Sequence, residues 1–302
     1  MISYLKINTC YNSIVNFEYR ICHLNHQFFQ LEELFSSLVK RYFDKNIFFL
    51  LKTSIQYIPL NIHRLHDSCM TNSSLPLIGI TLDSSTIPFT DNHNICSYIL
   101  DRNLKTSVLE AGGIPLGIFP VNQKNLSMIL DKMDGLVLYK NKFSDSSKNH
   151  DPFEQNLLQY AWEKNIPILA IAGGACHMTF FLQGELYKNI QTELPESLPH
   201  IQINSPYQGS HCIQLQPKSC LYSLTKRTKW MVNSFHQSGI KSAGKGIPSA
   251  LAEDNTIEAI EDPSRVFFVG VQWHPEFAVD YTDRKLFSAL IAKARTYAQN
   301  RS

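Results

Sequence analysis

Residues 167–177 read PILAIAGGACH. An apolar run meets two glycines and then residues that suit a helix. In α/β enzymes a strand-to-helix turn of this kind often lifts a nucleophile to the top of a sheet. The thiol in the stretch is Cys176, and it stands late, beyond the turn itself. Two further stretches carry histidine. NSFHQ contains His236, whose plain reading is a polar residue at a strand end. VQWHPEF contains His274 and Glu276, and HPE alone reads as a surface turn with a polar histidine.

The elements around these residues alternate. LIGITLD from Leu77 is an apolar run ending in Asp83, a first buried strand. NICSYILDRNLKTSVLEAGG, residues 94–113, reads as a helix closed by Gly112 and Gly113. IPLGIFP is a second strand, and NLSMILDKM a short helix with Asn125 as its N-cap. GLVLY is a third strand. DPFEQNLLQYAWEKN is a helix with Pro152 in its first turn, and IPILAIA is a fourth strand. Such a run predicts an α/β fold: a mostly parallel central sheet with helices on both faces. After Tyr187 the pattern changes to short strands, HCIQLQP, MVNSF, SALAED, IEAIED and VFFVGVQW, and a last helix is expected from about Asp280 to Ala298.

The first part of the chain differs in composition. Residues 1–69 contain no glycine and no alanine, and their single proline is Pro59. A folded domain normally uses glycine in turns and helix ends. Phe28, Leu31, Leu34, Phe35 and Leu38 do keep a helical spacing. Two readings stand side by side for the extension, residues 1–75. It is a helical segment that docks on the main domain or on a partner, or it is not normally translated, with Met70 the true start and the odd composition a mark of A/T-rich DNA.

The whole chain has 302 residues, a formal net charge of +2 and 18% charged residues. No basic block suggests nucleic acid or an acidic membrane surface as partner. The longest apolar patch, Ile47–Leu51, is far too short to span a bilayer. The seven cysteines are scattered, with no C-x-x-C pair and no Cys/His cluster of zinc spacing. They read as reduced thiols of a cytoplasmic protein.

Residues 76–298 resemble class I glutamine amidotransferases, closest to the gamma-glutamyl-gamma-aminobutyrate hydrolase branch, peptidase C26. The likeness rests on PLIGIT, EAGGIPLGIFP, DGLVL, DPFEQNLLQYAWEKNIPIL, GELYKNIQTELP, NSFHQSGIK, IEAIED and GVQWHPEF, in that order. It implies a flavodoxin-like domain and a cysteine hydrolase chemistry on gamma-glutamyl or glutamine-like small molecules. A thiolate attacks the carbonyl, a histidine moves the proton, a carboxylate orients that histidine, and backbone N–H groups hold the oxyanion. His274 and Glu276 match the histidine and carboxylate. His236 matches a substrate-side group, although the second histidine usual in the branch is Gln237 here. No metal or organic cofactor is implied.

The resemblance also exposes a gap. The family elbow runs apolar-Gly-Ile-Cys-Arg-Gly-x-Gln. Ala172 then occupies the nucleophile position, Gly173 the position of the arginine beside the substrate, and Cys176 that of the glutamine. Cys176 lies four residues on, about 5–6 Å along a helix axis, whereas reacting atoms must approach to roughly 3–3.5 Å. Tyr139, Lys140 and Asn141 stand where the family has a Pro-Gly-Gly turn that supplies an oxyanion N–H. The expectation is a catalytically degenerate member of the family. The alternatives are a hydrolase using Cys176 or a water activated by His274, and a helper subunit that docks through residues 1–69.

Overall fold

The computed structural model describes residues 75–90, 93–140 and 152–301. The helical spacing at Phe28–Leu38 and the residue Asn141 therefore lie outside the described residues. In chain order the elements are β1 (Leu77–Thr81), β2 (Asp83–Thr90), β3 (His93–Ile99), α1 (Arg102–Glu110), β4 (Ile114–Ile118), α2 (Gln123–Leu130), β5 (Gly135–Lys140) and α3 (Pro152–Lys164). They continue with β6 (Ile168–Ala172), α4 (Gly173–Phe181), β7 (Glu185–Tyr187), α5 (Ile190–Glu193), β8 (His211–Leu215), α6 (Cys220–Thr225) and β9 (Lys229–Val232). Then come β10 (Gly239–Ser242), β11 (Ile247–Ala252), β12 (Ile257–Glu261), β13 (Phe268–Val271), a 3-10 turn at Pro275–Phe277 and α7 (Tyr281–Arg301).

The central sheet begins β4-β1-β5-β6-β13, and every neighbour in that row is parallel. It continues antiparallel through β12, β11, β8 and β9, with β10 attached to β12 and to β7. The parallel strands need both faces covered, which is why their sequences are continuous apolar runs. Alternate residues feed two cores. Val137, Tyr139, Leu169 and Ile171 join the core beneath α1 and α7. Leu136, Leu138, Ile168 and Ala170 join the core beneath α2 and α3. The helices supply matching stripes: Leu286, Phe287, Leu290, Ile291 and Ala294 on α7, and Phe153, Leu157, Leu158 and Ala161 on α3. Spacings of one, four, five and eight residues are the buried face of a helix.

Three expectations change. The helix expected from Asn94 starts only at Arg102, where the Asp101 carboxylate accepts from Asn103 N at 2.6 Å. Before it, β2 and β3 form an antiparallel hairpin, with Asp83 opposite Ile99 and Ile87 opposite Ile95. β3 is mostly exposed, so its residues carry no one-sided apolar pattern that would mark a strand. The cap of α2 is Asn122, whose Oδ1 accepts from Asn125 N at 3.0 Å; Asn125 is the residue capped. Tyr139 and Lys140 are not turn residues. They prolong β5, with Tyr139 opposite Ile171 and Lys140 opposite Ala172. Thr81 secures that extension, its hydroxyl bonding both N and O of Tyr139 at 2.9 and 3.0 Å. Among the described residues no helix is long and apolar enough to cross a membrane.

Candidate functional site

Ligands of open α/β sheets bind beyond the carboxyl ends of the parallel strands. β6 and β13 are parallel neighbours in register, Ile171 opposite Val271. The residues at and beyond their carboxyl ends therefore emerge on the same side. Ala172 closes β6, Gly173 follows it, and His274 follows β13; all three line one cleft of about 550 Å³. Tyr139, Cys176, Phe235 and His236 line it too.

Ala172 has φ 53° and ψ −118°. Clashes with Cβ make that region costly for any residue but glycine. The conformation turns the chain abruptly from strand into helix, which is the geometry of a nucleophile elbow. Gly174 makes the turn possible: a Cβ there would overlap the Leu138 carbonyl oxygen on β5. No side chain caps the start of α4, so its first N–H groups carry the positive end of the helix dipole toward the cleft. The scaffold thus presents a residue to the cleft at a donor-rich helix start, and that residue carries only a methyl group.

Cys176 sits one turn further along α4 and is 2% exposed. Its thiol donates to Gln272 Oε1 at 3.5 Å rather than to His274. Burial pushes the thiol up to about 12, only partly opposed by that hydrogen bond. At neutral pH it is a packed neutral S–H, the opposite of an activated nucleophile.

His274 is bound on several sides. Its Nδ1 lies 2.7 Å from Glu276 Oε1 across the Pro275 turn. Asn233 fixes its backbone twice, accepting from His274 N at 2.8 Å and donating to His274 O at 3.0 Å. The rings of Tyr139, Phe235 and Phe277 surround it at centroid distances of 6.1, 6.1 and 5.9 Å. With Nδ1 committed to a carboxylate, Nε2 is the nitrogen left for proton transfer. Burial raises the Tyr139 phenol well above its ordinary range, helped by the Glu276 charge, so it stays neutral beside this pair.

The structure brings Ala172, Gly173, His236 and His274 to one cleft, with Glu276 behind His274. His236 is 8% exposed, and its Nε2 approaches the buried Glu258 Oε1 at 3.3 Å. Asn233 and Gln272 were not singled out in the sequence. Both lie in quoted stretches, NSFH and VQWHPE, and both are fully buried. An amide within an apolar strand end is a readable signal, because a buried amide must find partners.

The peptidase C26 family model matches residues 76–276. A glutamine amidotransferase-like protein of Rickettsia prowazekii is 30% identical, covering 74% of this chain and 98% of that protein. Protein NtpR of Enterococcus hirae is 29% identical over 72% of this chain and 98% of its own length. Gamma-glutamyl-gamma-aminobutyrate hydrolase PuuD of Escherichia coli K12 is 26% identical, covering 67% of this chain and 86% of that enzyme. Among solved structures, a GMP synthase component of Thermoplasma acidophilum superposes with a TM-score of 0.54 at 16% identity, covering 74% of this chain and 97% of that one. The fold is that of the class I glutamine amidotransferases. The chain belongs to the peptidase C26 family.

Proposed function

We propose that this chain is a catalytically degenerate peptidase C26 protein, which binds a gamma-glutamyl or glutamine-like small molecule in the cleft and does not cleave it. The observation that carries the reading is Ala172: it holds the elbow's backbone conformation, at the mouth shared with His274, and has no nucleophilic atom. Loss of the nucleophile in a comparable hydrolase costs on the order of a million-fold. Cys176 does not replace it, since it is protonated, buried and bonded to Gln272.

The remaining residues keep roles that serve binding. The N–H groups at the start of α4 favour a carboxylate or a polarised carbonyl oxygen. Gly173, in place of an arginine, leaves room there, and none of the described residues lining the cleft is lysine or arginine. His274 and Glu276 form a general-base pair with no hydroxyl or thiol to deprotonate at Ala172. His236 forms part of the wall. We assign this cleft to a domain of residues 76–298 and treat 1–75 as an extension. We place the protein in the cytoplasm, from the scattered spacing of its seven cysteines.

Calorimetric titration of the full chain with gamma-glutamyl-gamma-aminobutyrate or glutamine, with product analysis of the same sample, tests the reading. Saturable binding without released ammonia or amine is expected. Released product, or no binding of either compound, would count against it.

A further inference from the structure

Behind the cleft wall, Glu258 on β12 is completely buried, and three histidines from distant parts of the chain converge on it. His200 Nδ1 lies 3.2 Å from Glu258 Oε1, and His211 Nε2 lies 3.5 Å from the same oxygen. At 3.2–3.5 Å these contacts are long and poorly aligned for hydrogen bonds, which leaves His200 Nδ1, both His211 nitrogens, His236 Nε2 and both Glu258 oxygens without a well-formed partner. Buried polar groups left in this state cost free energy and call for an explanation.

The tautomers sharpen the point. His200 Nε2 is 2.9 Å from Asp254 Oδ2, and that carboxylate is already fixed by Leu198 N and by Thr256 N and Oγ1. A carboxylate only accepts, so Nε2 bears a proton; in the neutral ring Nδ1 then turns a lone pair to Glu258, and in the imidazolium, which Glu258 and Asp254 favour, it turns a second N–H there. His236 Nδ1 faces the Ser238 carbonyl at 3.0 Å. Gln272 Nε2 also lies 3.2 Å from His236 Nδ1, so that nitrogen either donates to Ser238 or accepts from Gln272, and Nε2 turns a lone pair inward in the first arrangement. Lone pairs of imidazole aimed at a carboxylate repel unless a proton or a metal cation lies between them.

We infer that His200, His211 and Glu258 bind one divalent transition-metal ion of the zinc class, with His236 on the side where a fourth ligand or a water would complete the shell. The three donor atoms lie within 4.8 Å of one another. Metal–nitrogen and metal–oxygen bonds of about 2.0–2.1 Å set the edges of a tetrahedron at about 3.3–3.4 Å. The two edges at Glu258 Oε1, 3.2 and 3.5 Å, bracket that value. Two imidazoles and a carboxylate suit zinc-class ions rather than calcium or magnesium. The Asp254–His200 contact is the outer carboxylate that orients a metal-bound imidazole. A dication also balances the charges of Glu258 and Asp254. The ion would join β12, the start of β8 and the chain around His200, and so hold Ile201 and His236 in the cleft wall.

The test uses the untagged full chain, purified without added metal. Elemental analysis should find about one zinc-class ion per chain. After removal with a chelator, Co²⁺ should restore one equivalent, with the intense visible bands of four-coordinate cobalt, and Zn²⁺ should raise the melting temperature and displace it. Asp254→Asn should weaken the site about 10–100-fold, the usual effect of losing an outer partner. His211→Ala, remote from the elbow, should abolish the cobalt bands. Folded full chain that holds no metal and shows neither bands nor a thermal shift would overturn the inference; protons would then bridge the cluster. Bands unchanged in both His211→Ala and Glu258→Gln would place the ion elsewhere and overturn it equally. If the variants fail to fold, the stoichiometry and the cobalt titration of the parent chain decide.

Discussion

Replacing Ala172 and Ala170 separately by glycine probes the elbow without touching chemistry. Both methyl groups are buried, at 2% and 0% exposure, and both sit on β6. At Ala170, inside the strand, glycine loses on two counts. The freer unfolded chain costs about 0.4–1 kcal/mol, and the lost methyl burial about 0.8 kcal/mol. The sum is about 1.5 kcal/mol of destabilisation. Ala172 suffers the same two losses, but its φ of 53° and ψ of −118° store strain, typically about 1–3 kcal/mol, which glycine releases. Ala172→Gly should therefore lie between about 0.5 kcal/mol destabilised and about 1.5 kcal/mol stabilised. The two variants should differ by about 1–3 kcal/mol in its favour, or several degrees in melting temperature. Urea unfolding with unchanged m-values measures the difference. Equal losses, within about 0.5 kcal/mol, would refute the strained elbow and with it the placement of Ala172 at the nucleophile position.

Three further outcomes are expected. Burial raises Asp283 from near 3.8 to about 7, despite hydrogen bonds from Asp280 N and Trp273 Nε1 that favour its charged form. An acid whose folded pKa is raised stabilises the protonated fold, so that stability falls as pH climbs from about 4 to 7. Denaturation at pH 5.5 and 8 should show a loss of about 2 kcal/mol from this group, and Asp283→Asn should remove that slope; an unchanged slope would refute the assignment. Ala172→Cys should make residue 172 alkylate faster than Cys176 in residue-resolved mass spectrometry, because His274 and the start of α4 favour a thiolate at the elbow; slower labelling at 172 would contradict the geometry. A chain starting at Met70 should unfold cooperatively at a temperature close to that of the full chain, whereas an insoluble or molten product would make the extension part of the core.

The parallel sheet was legible because LIGIT, GLVLY and ILAIA are short apolar runs, strand-length rather than helix-length, set between helical stretches. The elbow was legible as a strand–glycine–helix junction; that Ala172 stands at the nucleophile position is the proposal drawn from the family's spacing. The β2–β3 hairpin was not legible, since mostly exposed strands leave no burial pattern, and the helical spacing downstream of Asp101 extended over it. The prolonged β5 depends on the Thr81 hydroxyl, 58 residues away in sequence from Tyr139. The histidine–glutamate cluster was hidden for a similar reason. His200, His211 and Glu258 follow no metal-binding spacing and meet only when β8, β11 and β12 pair.

Steady-state hydrolysis of glutamine and of gamma-glutamyl-gamma-aminobutyrate tests the central claim most directly, run on the parent chain beside Cys176→Ser and His274→Ala. No turnover above the uncatalysed rate is expected in any of the three. Turnover that vanishes with Cys176→Ser would show that the buried thiol is the nucleophile after all. Turnover that survives that change and vanishes with His274→Ala would show an activated water. Either result would contradict the claim that Ala172 leaves the site without catalysis.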